Sequence, residues 1–246
     1  MVPPRFCGLS KPIGYTEPVS GLESNLARIR REIEAAARRS ARDPSSIRVL
    51  AVSKTFPAER VVEAAELGQA LFGENRVQEA ESKIPAVRRP GLEWHLIGHL
   101  QSNKVRQAAR IFDVIQTVDS QKLAHRLDRI CEEQNRKLKV LIQVNIGEEE
   151  QKSGIDIGDV EELVRIVTPL EHLELRGFMA IPPLFGDPEL SRPYFRRLAA
   201  LRAQIEARLG LSFPELSMGM SSDFSVAVEE GATIVRIGTG IFGERD

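Results

Sequence analysis

The stretch Ile47-Arg-Val-Leu-Ala-Val-Ser-Lys54 decides how the rest of the chain is read. Residues 47–53 are apolar through most of their length, the character of a parallel strand covered on both faces. Seven further runs share it, over residues 70–73, 93–98, 114–118, 139–145, 174–181, 215–218 and 233–238, each bounded by turn residues. Between them the spacing turns helical: Val77, Ala80, Ile84 and Val87; Leu123, Leu127 and Ile130; Phe195, Leu198, Leu201, Ile205 and Leu209. Asp119 or Ser120, and Asp223, stand where helix N-caps are needed.

Eight β/α repeats of roughly 25 residues approach the minimum for a closed barrel, which takes ~250 residues in all. Upstream, Leu22, Leu26, Ile29 and Ile33 form the stripe of an amphipathic helix over residues 21–40. The chain therefore reads as α/β, a single (β/α)8 TIM barrel over residues 21–246. An irregular extension, residues 1–20, carries Pro3, Pro4, Pro12 and Pro18 without any sustained period and reads as a tail. Eight strands in an open doubly wound sheet are the alternative, because periodicity does not report closure.

The 246 residues hold 34 basic and 35 acidic side chains, a net charge of −1 that supplies no basic field for nucleic acid or an anionic membrane. No apolar run approaches ~18 residues, and the opening MVPPRFCGLSKPIGY lacks a signal-peptide core, so a cytoplasmic protein is expected. Cys7 and Cys131 lie far apart and support neither a disulfide framework nor a cysteine metal site. His95, His99, His125 and His172 show no metal-ligand spacing and read as ordinary.

In such a barrel the chemistry sits at the C-terminal ends of the strands. Read in order, those ends are Ser53 and Lys54, Glu74 and Asn75, Gly98 and His99, Asp119, Asn145, Ala180 and Ile181, Gly219 to Ser221, and Gly238 to Thr239. Lysine is scarce, 8 residues against 26 arginines, which makes Lys54 conspicuous. Desolvation in a barrel mouth disfavours an ammonium and leaves an amine able to attack an aldehyde. A snorkelling strand-capping lysine is the plainer reading. Lys83, Lys104, Lys122, Lys137, Lys139 and Lys152 read as solvated.

The loops after the last two strands, Gly219-Met-Ser-Ser-Asp223 and Gly238-Thr-Gly-Ile-Phe-Gly243, occupy the usual phosphate-binding place of barrel enzymes, with Ser221 and Thr239 as hydroxyl donors. Either loop is also explained as a tight turn. The second matches a dinucleotide fingerprint, but no βαβ unit follows it, and the first lacks the second glycine of a nucleophile elbow. Arg236 shares strand parity with Ile234 and Gly238 and reads equally as a ligand contact, a structural ion pair or an exposed residue. An imine-forming lysine and a phosphate cradle together describe a ligand with an aldehyde at one end and a phosphate at the other. Pyridoxal phosphate fits, and so does a phosphosugar in a Schiff-base aldolase.

At this point the residues resemble the pyridoxal phosphate homeostasis proteins, a family related to the barrel domain of alanine racemase. The resemblance rests on Leu50-Ala-Val-Ser-Lys-Thr55, Phe72-Gly-Glu-Asn75, Trp94-His-Leu-Ile-Gly98 with Leu100-Gln-Ser-Asn-Lys104, Lys152-Ser-Gly-Ile155, Arg176-Gly-Phe-Met-Ala-Ile181, Gly219-Met-Ser221, and Val235-Arg-Ile-Gly-Thr239 with Ile241-Phe-Gly243. It implies that Lys54 carries the cofactor as an internal aldimine, that Ser221, Gly238 and Thr239 hold its phosphate, and that Asn75 and Met220 border the ring. Arg236 would face the pyridine nitrogen and, being unable to accept its proton, leave the cofactor a weak electron sink.

The resemblance further implies a carrier or regulator of pyridoxal phosphate, serving apoenzymes that use it, with no established reaction. A racemase-like enzyme is the second reading, and it needs a tyrosine opposite the lysine. The only tyrosines are Tyr15, in the extension, and Tyr194, in a helical stretch. With no second domain expected beyond strand eight, the opposing proton donor is missing. A monomer is the expected state. The extension departs from the family pattern, and an altered start site and a flap bringing Tyr15 to the mouth are the alternatives to a tail.

Overall fold

The computed structural model describes residues 21–149 and 153–244. Eight strands run β1 (Arg48–Val52), β2 (Leu71–Glu74), β3 (Glu93–Leu96), β4 (Val114–Val118), β5 (Leu138–Val144), β6 (Leu173–Ala180), β7 (Glu215–Ser217) and β8 (Ile234–Ile237). All pair in parallel and in chain order, and β8 returns to β1 with Arg48 opposite Ile234 and Ala51 opposite Ile237. Closure decides against the open sheet. The parallel direction follows from the helices that intervene: α2 (Ala58–Glu66), α3 (Val77–Val87), α4 (Val105–Ile111), α5 (Gln121–Glu133), α6 (Val160–Val167), α7 (Arg192–Leu209), α8 (Phe224–Glu229) and the single turn α9 (Thr239–Phe242).

The preceding helix α1 (Gly21–Arg39) buries Leu22, Leu26, Ile29 and Ile33, the stripe expected of it, and packs on α8 and α9. Its polar residues then tie it to the last loop: Asn25 Nδ2 donates to the Ile241 carbonyl (3.0 Å) and Arg28 to that of Gly240 (3.1 Å). Ser120 caps α5 through Leu123 N–H. Asp223 heads α8, but its carboxylate turns backward and accepts from the Met220 N–H (2.7 Å) and the Ser191 hydroxyl (3.1 Å).

The main apolar core lies between sheet and helices. The barrel interior is built differently. Leu50, Val52 and Ile234 form one small apolar cluster, and Val114, Leu141 and Met179 another. Strand alternation places a polar seam between them, His95, Gln116, Ser217 and Arg236, all buried. At the N-terminal end, alternate strands supply a ring of opposite charges: Arg48 bonds Glu93 (3.2 Å) and Glu215 (2.7 Å), and Lys139 reaches Glu93 (3.3 Å).

Two expectations about lysine fail. Lys83 is buried rather than solvated, and Lys139 is a half-buried member of the charged ring. Lys152, Cys7, Tyr15 and the whole extension over residues 1–20, with the tail and the flap expected of it, lie outside the described residues. Cys131 is free and buried, and burial pushes its thiol up to about 11. Among the described residues no helix is long and apolar enough to cross a membrane.

Candidate functional site

A cavity of about 520 Å³ opens at the C-terminal ends of the strands. Lys54, Asn75, Met220, Ser221, Arg236, Gly238 and Thr239 all line it, with apolar walls from Val52, Phe56 and Ile97. The structure thus gathers every residue singled out in the sequence for binding. Of the other strand ends Ile181 also lines it, whereas Glu74 and Asn145 stay out. Glu74 points into the helical layer, and Asn145 ties down its own loop by donating to the Glu149 carbonyl (3.1 Å). Hollows of about 700 and 640 Å³ lie against α1 and against α4, where arginines such as Arg38 and Arg110 are already paired with glutamates.

The turn carrying Lys54 is held from behind by a group the sequence reading missed. Lys83 Nζ donates to the Ser53 carbonyl (2.7 Å), to Glu74 (2.7 Å) and to Glu79 (2.8 Å). Glu79 in turn accepts from the Thr55 N–H, and Ser53 Oγ donates to Glu74 (2.7 Å). Both neighbours of Lys54 are therefore clamped. The clamp has work to oppose, because Thr55 sits at φ +69°, a left-handed conformation that a β-branched residue adopts only when the surroundings impose it. Burial pushes the Glu74 carboxyl up, and the bond from Lys83 acts against that.

Two glycines shape the rest of the mouth. At Gly98 a Cβ would stand 2.2 Å from the Asn75 carbonyl oxygen, so only glycine lets the loop after β2 settle where Asn75 faces the cavity. Gly219 has φ +89°, and a Cβ there would meet that of Ala227 at 2.5 Å. Asp223 then fixes Met220 from below. The two hydroxyls of the last loops meet only loosely: Thr239 Oγ1 and the Gly240 N–H each lie 3.4 Å from Ser221 Oγ. Bonds that long are weak and leave the groups ready for a better acceptor.

Arg236 is the electrostatic anomaly of the mouth. It is buried, and its two donor contacts are neutral, Ser217 Oγ (2.8 Å) and the Ala180 carbonyl (2.9 Å). Desolvation lowers its pKa to about 10, opposed by the charge of Asp223, so it remains a cation at neutral pH. A buried guanidinium with neutral partners, aimed into a cavity, suits a ligand that brings an acceptor. His95, read as ordinary in the sequence, is fully buried and bonded at both ring nitrogens, to Glu93 and Gln116 (2.7 Å each). Its parity with Glu93 and Ile97 along the strand was the available signal.

The fold and the strand-end cavity define a barrel of the alanine racemase type, and the family model described as "Alanine racemase, N-terminal domain" matches residues 24–246. Among curated proteins, the pyridoxal phosphate homeostasis protein of Escherichia coli strain K12 is 45% identical over 236 residues, 93% of this chain and 98% of that one. That of Aquifex aeolicus is 42% identical over 220 residues, 89% and 96% of the two chains. This chain belongs to the pyridoxal phosphate homeostasis protein family. The solved structure of PipY from Synechococcus elongatus with pyridoxal phosphate bound is 39% identical, with a TM-score of 0.79 over 90% of this chain and all of that one. A D-threonine aldolase from Filomicrobium marinum, 17% identical with a TM-score of 0.73 over 89% of this chain and 59% of that one, shares the fold alone.

Proposed function

We propose that this protein holds pyridoxal 5'-phosphate in the barrel mouth and acts in the homeostasis of that cofactor, buffering it or delivering it to apoenzymes, as a carrier rather than an enzyme. One observation carries the reading: a single cavity is lined by the Lys54 amine, by the buried Arg236 guanidinium and by the hydroxyls of Ser221 and Thr239 on glycine-containing loops. Those groups answer the three chemical features of the cofactor. Lys54 is the nucleophile for its aldehyde. Ser221, Thr239 and the backbone from Gly238 supply donors for its phosphate. Arg236 donates to the ring nitrogen, with Asn75 and Met220 bordering the ring. The cofactor would supply an electron-withdrawing ring, and a guanidinium that cannot give up its proton leaves that ring a weak sink. The names of the relatives, and the pyridoxal phosphate bound to PipY, support the same reading.

Racemase-like catalysis would need a second proton donor facing Lys54. Among the described residues, the ionisable groups lining the cavity are Lys54 and Arg236. The protein is proposed to work in the cytoplasm as a monomer, and light scattering at twice its 27.4 kDa would overturn the second point.

The test is an absorption spectrum of the protein given pyridoxal phosphate, before and after borohydride, with peptide mass mapping beside a Lys54→Ala control. A visible band converting to a pyridoxyl adduct on Lys54 is expected. A protein that takes up no adduct overturns the proposal, and a borohydride-trapped sugar phosphate in its place would favour an aldolase. Loss of chirality in an incubated amino acid, absent in Lys54→Ala, would favour the racemase-like enzyme.

A further inference from the structure

The buried polar seam inside the barrel is a continuous chain with one direction. Arg236 Nη1 donates to Ser217 Oγ (2.8 Å), and Ser217 Oγ donates to Gln116 Oε1 (2.6 Å). Gln116 Nε2 faces His95 Nδ1 (2.7 Å), and His95 Nε2 faces Glu93 Oε1 (2.7 Å). The two ends set the polarity. A guanidinium only donates and a carboxylate only accepts, so the Ser217 hydrogen must leave Arg236 and point to the Gln116 oxygen. Gln116 is then turned with its amide nitrogen toward His95. Nδ1 accepts, and the ring proton sits on Nε2, directed at Glu93. The opposite amide orientation would aim two donors at Ser217 Oγ and strand its hydrogen.

We propose that Ser217, Gln116 and His95 are positioning residues for Arg236: an orientation relay that runs the length of the barrel and makes Glu93, in the charged ring at the far end, the anchor of the guanidinium at the mouth. The inference rests on the proposed function in taking pyridoxal phosphate as the ligand that Arg236 meets. What passes along the relay is orientation, because an amide turns far more readily than it carries a proton. Packing alone does not call for it. Three of these side chains are fully shielded from solvent between two interior clusters of leucine, isoleucine, valine and methionine, and apolar residues of similar volume would fill the same space. Glu93 is itself fixed by Arg48 and Lys139, so the far end of the chain does not swing.

The experiment uses the full chain loaded with pyridoxal phosphate labelled with ¹⁵N in its ring. In Ser217→Ala, which removes the acceptor of Arg236, and in Gln116→Glu, which reverses the demand on His95, the ring-nitrogen resonance should move and the cofactor's affinity fall about tenfold. The Lys54 adduct should still form on borohydride treatment. Ser217→Thr, which keeps the hydroxyl, should restore the wild-type resonance, a rescue that a loss of packing would not predict. Folded Ser217→Ala and Gln116→Glu proteins with the wild-type resonance and affinity would overturn the relay. Should those variants fail to fold, the natural residues serve instead: with His99, His125 and His172 replaced by Gln, the ring nitrogens of His95 should shift when pyridoxal phosphate is added. Unchanged His95 signals in a protein that forms the Lys54 adduct would overturn the relay. A protein forming no Lys54 adduct at all would overturn the functional reading instead.

Discussion

The two ends of this barrel solve the problem of buried charge in opposite ways. At the N-terminal end Arg48, Glu93, Lys139 and Glu215 alternate in sign, each paired, and Arg48 and Lys139 keep 36% and 42% of their side chains in water. At the C-terminal end a guanidinium is buried against neutral oxygens and a lysine stands on a turn held in a strained conformation. The first arrangement is self-sufficient. The second leaves donors and an amine lining a cavity, groups that a ligand with acceptors and an aldehyde would satisfy.

That contrast can be broken or sharpened by experiment. Lys54→Ala should abolish the borohydride-trapped adduct completely while the fold persists, read by intact mass and circular dichroism; an adduct formed on another lysine would remove Lys54 from the site. Lys83→Met leaves Glu74 buried without its cation and should cost about 3–5 kcal/mol in urea denaturation. Burial already raises the Glu74 carboxyl, so the folded variant holds its proton more tightly than the unfolded chain does, and its deficit should grow as pH rises through the carboxylate range. Lys139→Met, at the half-wet ring, should cost no more than about 1 kcal/mol. Equal losses in the two variants would erase the distinction between the ends.

Ser221→Ala combined with Thr239→Val should weaken pyridoxal phosphate about tenfold or more in a spectroscopic titration, with pyridoxal itself little affected. Equal weakening of both ligands would detach these hydroxyls from phosphate. The smallest effect is acid-dependent. The bond from His95, helped by the charges of Lys139 and Arg48, holds the Glu93 carboxyl at about 2 rather than its ordinary 4.5. A carboxyl depressed on folding contributes stability that is complete above the ordinary value and lost as pH falls toward the depressed one. Denaturation midpoints should therefore drop between pH 4.5 and about 2, less steeply in Glu93→Gln. An unchanged slope in that variant would mean that the ring does not hold this carboxylate.

Most of the fold was readable in the chain because parallel strands buried on both faces leave continuous apolar runs, and all eight predicted runs are strands. The mouth was readable for a related reason. Strand order places each strand's end at the same rim, so Lys54, Asn75, Met220, Ser221, Gly238 and Thr239 stood among the candidates without a single distance, while Arg236 and the choice among the strand ends came from the family resemblance. Lys83 was not. Its place in a helical stretch reads as polar surface, and only the docking of α3 on the back of the β1 turn brings its ammonium to the Ser53 carbonyl. The seam stands between these cases: strand parity points His95, Gln116, Ser217 and Arg236 inward, yet four separate strands carry them.

What the sequence by itself determined is local and directional: which runs extend, which coil, and which residues stand at strand ends, since apolar periodicity and turn chemistry act over a few neighbouring positions. The tertiary structure alone decided the closure of β8 on β1, the clamp behind Lys54 and the single polarity of the chain from Arg236 to Glu93. Each depends on hydrogen-bond partners from distant segments, and the direction of a hydrogen bond is set by what stands at its two ends.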